Sequence, residues 1–172
     1  MICSISAGAG VFFLRDAAIL KKGLPNMTRF HYSVTISAPR STVWHVLVDD
    51  ETYRQWNSVF CEGSYFEGDW SAGSTIRFLT PEKRGLVGEI AENRKHEFLS
   101  IEHRGCIIDG VDNFENDDAK AWSQAYESYT LTVVDGDTEL ILDAEVPSAY
   151  KAYLEDVWPK ALAAVKELAE KM

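Results

Sequence analysis

The sequence is poor in the residues that build metal, redox and nucleophilic centres. Its three cysteines, Cys3, Cys61 and Cys106, form no CxxC pair, and an odd count rules out a complete disulfide framework. They read as small apolar fillers in a reducing, cytoplasmic compartment. The four histidines, His31, His45, His96 and His103, show neither HxH nor HExxH spacing, so no metal site and no cofactor is expected. No GxSxG elbow occurs, because "GDWSAG" has the wrong spacing. The glycines of "SAGAG" follow no strand, which excludes a dinucleotide fingerprint. The acidic run "DNFENDD" lacks the fixed Gly and terminal Glu of a calcium loop. Basic residues are also scarce: 17 Lys and Arg stand against 27 Asp and Glu, a net charge of −10. Such a body repels phosphate backbones and anionic bilayers, so neither nucleic acid nor membrane is an expected partner.

Apolar and aromatic residues, by contrast, are plentiful. Hydrophobic residues make up 46% of the 172 positions, enough for one domain with a substantial core. The N-terminal stretch has no basic n-region, and Arg15 and Asp16 break its apolar run, so it is neither a signal peptide nor a membrane span. Residues 1–26 are expected to be an extension from an upstream start, with Met27 the natural start and residues 27–172 a single domain. The competing expectation is a short docking helix around Gly10–Leu20.

Phe30, Tyr32, Val34 and Ile36 alternate with polar residues and predict a half-buried strand. Pro39 suits a first helical turn, and Val43, Trp44, Leu47 and Val48 give that helix an apolar face. Asp49 or Asp50 can cap a second short helix carrying Tyr53 and Trp56. Strand-like runs follow as far as Val146, with Asp135–Asp137 the signature of a tight hairpin between the last two. The stretch "IIDGVDNFENDDAKAWS" has no period and reads as a long loop of the kind that often serves as a lid. Ser148–Lys171 predicts a long amphipathic helix, kinked near Pro159. The order is one strand, two short helices, about six antiparallel strands and a long helix. It predicts an α+β fold in which a curved sheet wraps the C-terminal helix, the short helices plug one end, and a cavity lies between.

The stretches "ISAPRSTVWHVLVDDETYRQW", "GDWSAGSTIRFLTPE", "GLVGEIAE", "EFLSIEHRG", "AWSQAYESYTL", "TELILDAEV" and "WPKALAAVKELAEKM" stand in this order over Thr28 to Met172. Together they resemble the START-like, helix-grip (SRPBCC) superfamily, and within it the bacterial homologues of the activator of heat-shock-protein-90 ATPase. The resemblance implies the helix-grip fold. It does not fix a function, since that superfamily includes ligand carriers, cyclases and co-chaperone domains.

Strand parity selects the side chains that can face the cavity. In "EFLSIEHRG", Leu99 and Ile101 share a face with His103; in "ESYTLTV", Tyr129, Leu131 and Val133 carry Glu127 with them. His103 and Glu127 are therefore the inward polar groups. Burial would raise the Glu127 pKa, while a neighbouring His would favour the ionised form. The pair could orient a ligand, serve acid–base chemistry, or be a satisfied structural contact. The aromatics Trp56, Tyr65, Trp70 and Phe78 are expected around the cavity, as are Tyr129, Tyr153 and Trp158. Trp44 reads as core.

These observations predict binding of a small hydrophobic ligand, with no residue assigned to catalysis. Two alternatives stand beside it: a chaperone-linked, ATPase-activator-like interaction module, and a cyclase- or hydrolase-like enzyme using Glu127 and His103. The expected partners are the small ligand and a chaperone, in a monomer or homodimer.

Overall fold

The computed structural model describes residues 26–172; the expected N-terminal extension lies, but for Asn26, outside the described residues. Strand β1 (Met27–Ile36) is followed by α1 (Arg40–Val48) and α2 (Asp50–Asn57). Pro39 precedes the first helix, and the Asp49 carboxylate caps the second by accepting the Glu51 N–H at 3.1 Å. Then come β2 (Tyr65–Gly68), β3 (Thr75–Leu79), β4 (Gly85–Arg94), β5 (Phe98–Ile108), β6 (Val111–Asn113), α3 (Asp117–Trp122), β7 (Tyr126–Val134) and β8 (Asp137–Pro147). A 3-10 turn at Ser148–Tyr150 leads into α4 (Lys151–Lys171), which continues through Pro159.

The curved sheet is antiparallel throughout, in the order β1-β8-β7-β5-β4-β3-β2, with β6 added to β5. The β7–β8 hairpin closes on Asp135 and Gly136, both at positive φ (53° and 93°), the backbone that an Asp-Gly pair adopts with least strain. One expectation is corrected. The stretch read as an uninterrupted loop contains β6 and α3; Asn116 caps α3 by accepting the Ala119 N–H at 2.7 Å. Its polar composition hid both elements because each is shorter than a detectable period.

The core fills the space between the inner face of the sheet and α4. Ile36, Ile76, Ile90, Leu99, Ile101, Leu131, Leu140 and Leu142 face Val157, Trp158, Ala161 and Val165 across it. A second, small cluster of Leu79, Val87 and Ile107 lies apart from this core. Two register shifts bend the sheet. Gly88 pairs with His103 while Val87 pairs with Gly105, leaving Arg104 as an extra residue in β5; Ile90 pairs with Ile101 while Glu92 pairs with Ser100, leaving Ala91 extra in β4. Across the first shift the phase of β5 inverts. His103 is inward, whereas beyond Arg104 it is Cys106 that joins the main core and Ile107 that joins the small one.

Candidate functional site

Where α2, β3, β5, β7 and α4 converge, seven aromatic side chains enclose one space. Helix α2 supplies Tyr53 and Trp56; Phe60 follows it; Trp70 comes from the β2–β3 loop, Phe78 from β3, Tyr129 from β7 and Trp158 from α4. Tyr53 is the hub, with its ring 5.2 Å from Trp56, 6.1 Å from Trp70 and 6.3 Å from Phe78. Leu47, Leu86, Leu99 and Ile101 complete the apolar wall, and Asn57 also lines it. The free volume is about 30 Å³, room for one or two waters. Sites for small organic ligands typically measure about 300–1,000 Å³, so the expected cavity is not open: its own aromatic rings fill the space. Of those seven rings only Trp70 is half-buried; the others are buried.

The polar groups enter as parity predicts. Glu127 pairs with Ile101 across β5 and β7, and His103 sits two residues further along β5. His103 Nε2 lies 3.9 Å from Glu127 Oε2, an ion-pair distance rather than a hydrogen bond. The Tyr129 hydroxyl donates to Glu127 Oε1 at 3.2 Å. Burial acts to raise the Glu127 pKa and is the largest single influence. The imidazole first, and the tyrosine hydroxyl after it, act the other way, and on balance the carboxyl lies below its usual range. Burial first, and the Glu127 charge second, push Tyr53 and Tyr129 well above the usual phenol range. At neutral pH the chamber therefore contains an ionised carboxylate flanked by neutral tyrosines.

Four buried nitrogens on the lining residues have no hydrogen-bond partner among the described residues: Trp56 Nε1, Trp70 Nε1, Trp158 Nε1 and His103 Nδ1. Buried polar atoms are bonded in the great majority of cases, so four exceptions around one small space single it out.

Seven of the nine residues expected at the cavity line this chamber: Trp56, Trp70, Phe78, His103, Glu127, Tyr129 and Trp158. Tyr65 does not. It packs against Leu79, Val87 and Ile107, under the Arg54 guanidinium at 5.2 Å, and its neighbour Phe66 turns inward against Tyr53. Tyr153 does not line the chamber either; its hydroxyl donates to the Phe60 carbonyl at 3.0 Å, tying α4 to the segment after α2. Trp44 is in the core, as expected. Sequence reasoning missed Tyr53 and Phe60 as lining residues. Tyr53 was detectable, because it stands three residues before Trp56 and so shares its helix face. Phe60 lies beyond the end of α2, where no period points to it. Of the described cysteines, Cys61 is buried and Cys106 is free and half-buried. Among the described residues, no cluster of three or more His, Cys, Asp or Glu is placed to hold a metal ion, and no helix is long and apolar enough to cross a membrane.

A curved antiparallel sheet closed on a long C-terminal helix, with two short helices at one end, defines a helix-grip protein. More narrowly, the chain belongs to the family described as activator of Hsp90 ATPase homolog 1-like protein, whose model matches residues 37–170. Solved structures agree on the fold. The Aha1 dimer from Colwellia psychrerythraea superposes with a TM-score of 0.64 at 15% identity, over 83% of this chain and 96% of that one. A protein from Mesorhizobium loti gives 0.64 at 15% identity, over 84% and 98%. DynU16, from the dynemicin biosynthetic locus, gives 0.62 at 17% identity over 83% of this chain, which spans only 47% of DynU16. At these identities the likeness is one of fold. Among curated proteins, none matches the sequence.

Proposed function

We propose that the protein binds a small, largely apolar molecule in the aromatic chamber between the sheet and α4, and that residues 27–172 act as a single binding domain. The observation that carries this reading is the gathering of unpartnered nitrogens from α2, the β2–β3 loop, β5 and α4 on one enclosed aromatic space. Entry requires a lining ring to give way. Trp70 is suited to it: it is half-buried, sits on a loop, and its side-chain N–H makes no bond among the described residues.

The chaperone-linked reading draws on the family name. A docking face would favour it, but the large apolar residues most exposed at the surface are divided. Val111 opens β6 and Phe114 follows it, where β6 pairs with the Ile108 end of β5; Val133 and Val134 sit at the β7–β8 hairpin, beyond the Phe98 end. Catalysis by His103 and Glu127 has support only from their proximity, so we favour binding over turnover.

The test is a titration of small aromatic fragments followed by NMR at the indole N–H protons. Fragments should shift the Trp56, Trp70 and Trp158 resonances first. Fragments that bind while leaving all three unmoved, or no binding at all, would sink the reading.

A further inference from the structure

Given that the chamber binds a ligand, its chemistry restricts what the ligand can be. We propose that the chamber selects an uncharged, flat aromatic molecule carrying oxygen acceptors, and that Glu127 excludes anions from it. Three indole N–H groups are among the unpartnered atoms, and an indole N–H can only donate. A ligand that leaves them unpaired forfeits the desolvation already spent on burying them. A pure hydrocarbon satisfies none of them; a ketone, ester or ether oxygen satisfies one each.

The charge of the ligand follows from the remaining lining. Among the described residues no Lys or Arg lines the chamber, and the only carboxylate there is Glu127. Its Oε1 accepts from the Tyr129 hydroxyl, and its Oε2 faces the ring of His103 at 3.9 Å. Any positive charge on His103 is thus answered by Glu127, and an entering anion would find no cation of its own in a space with little water. An ammonium group would meet three donors and a carboxylate that already accepts from Tyr129 and faces the imidazole of His103. The walls set the shape. With free volume of about 30 Å³, the guest must insert between rings, which suits a flat molecule that stacks.

Four probes with one naphthalene skeleton separate these terms: 2-acetonaphthone, naphthalene, 2-naphthoate and protonated 2-naphthylmethylamine, each titrated at pH 7.5 against the indole N–H signals. The ketone should bind about tenfold or more tighter than naphthalene, the gain of one well-made hydrogen bond, and tighter than either ion by at least as much. Glu127→Gln should narrow the gap between the naphthoate and the ketone several-fold. Trp56→Phe and Trp70→Phe keep a ring and remove the N–H. At least one should weaken the ketone several-fold and spare naphthalene, which keeps the idea testable even if Glu127→Gln does not fold.

Equal affinities for ketone and naphthalene would overturn the acceptor requirement while leaving the chamber as a binding site. Naphthoate binding as tightly as the ketone would overturn the exclusion of anions, and tightest binding by the amine would overturn the preference for neutral guests. If none of the four moves the indole signals, the chamber is not the site and both readings fall.

Discussion

A double-mutant cycle on His103 and Glu127 tests whether the pair is a charged contact or merely two neighbours. Its parts are His103→Ala, Glu127→Gln and the double variant. Two unit charges 3.9 Å apart attract by about 4 kcal/mol at an effective dielectric of about 20. Removing both from water offsets part of this, so a coupling of about 1–3 kcal/mol is expected. His103→Ala alone should cost about 3–5 kcal/mol, because it strips a buried carboxylate of the imidazole that faces it and leaves a cavity. Glu127→Gln should cost less, since the amide keeps the volume and can still accept from Tyr129. Urea unfolding at pH 7.5 gives the four free energies. The acid limb supplies an independent check. The folded-state pKa of Glu127 is depressed by His103 and Tyr129 against the opposing effect of burial. Its stabilisation is therefore complete above the ordinary carboxylate range and is lost as the pH falls through the folded pKa. The wild-type advantage over Glu127→Gln should shrink in that window and not on the alkaline side of the ordinary range. Additivity within about 0.5 kcal/mol at pH 7.5 would refute the charged pair.

Smaller perturbations probe the frame around the chamber. Tyr153→Phe removes the bond to the Phe60 carbonyl and should cost about 0.5–1.5 kcal/mol in urea unfolding. Thr138→Val strands the Ala38 carbonyl, which now accepts from the fully buried Thr138 hydroxyl at 2.6 Å; a loss of about 1–3 kcal/mol is expected by the same measurement. Asp49→Ala removes the α2 cap and should lower stability by about 1 kcal/mol, whereas Asp49→Asn should hold it nearly unchanged. Gly88→Ala would place a Cβ 2.9 Å from the Glu102 carbonyl oxygen. It should cost about 1–3 kcal/mol and move the His103 ring signals in an NMR spectrum.

Much of the architecture was legible because the long elements carry long patterns. β1 and β8 pair over ten residues from Met27↔Pro147 to Ile36↔Thr138, and their alternation leaves little doubt about which face is buried. The same logic placed His103 and Glu127 correctly, since Leu99, Ile101 and Tyr129, Leu131 anchor the phase on each strand. It failed at Tyr65 because β2 has only four residues, and one step of phase exchanges Tyr65 for Phe66. It failed at Tyr153 because a helix stripe tells which side of α4 meets the sheet, not which residues along its border reach a particular space. The size of the cavity was illegible for a deeper reason. Aromatic content tells how much ring must be buried, while whether the rings line a space or fill it depends on rotamers and packing.

The polar pair sits at the edge of an irregularity in the sheet. β5 pairs with β7 only as far as Glu102↔Tyr126, and the extra residue Arg104 follows one position after His103. His103 is thus the last inward side chain before the phase of β5 inverts. Its partner across β4 is Gly88, which offers no side chain to compete for the space. A regular strand would continue the inward phase to Gly105 and Ile107 and extend the apolar wall past the histidine. With the bulge, Ile107 is withdrawn to the small cluster with Leu79 and Val87, and the imidazole terminates the wall at the chamber. Bulges commonly re-aim side chains at functional sites. Here the bulge costs ladder regularity, and next to it His103 Nδ1 has no hydrogen-bond partner among the described residues. Neither cost adds to the stability of the core, and both fit the proposed binding of an apolar guest that carries a polar atom.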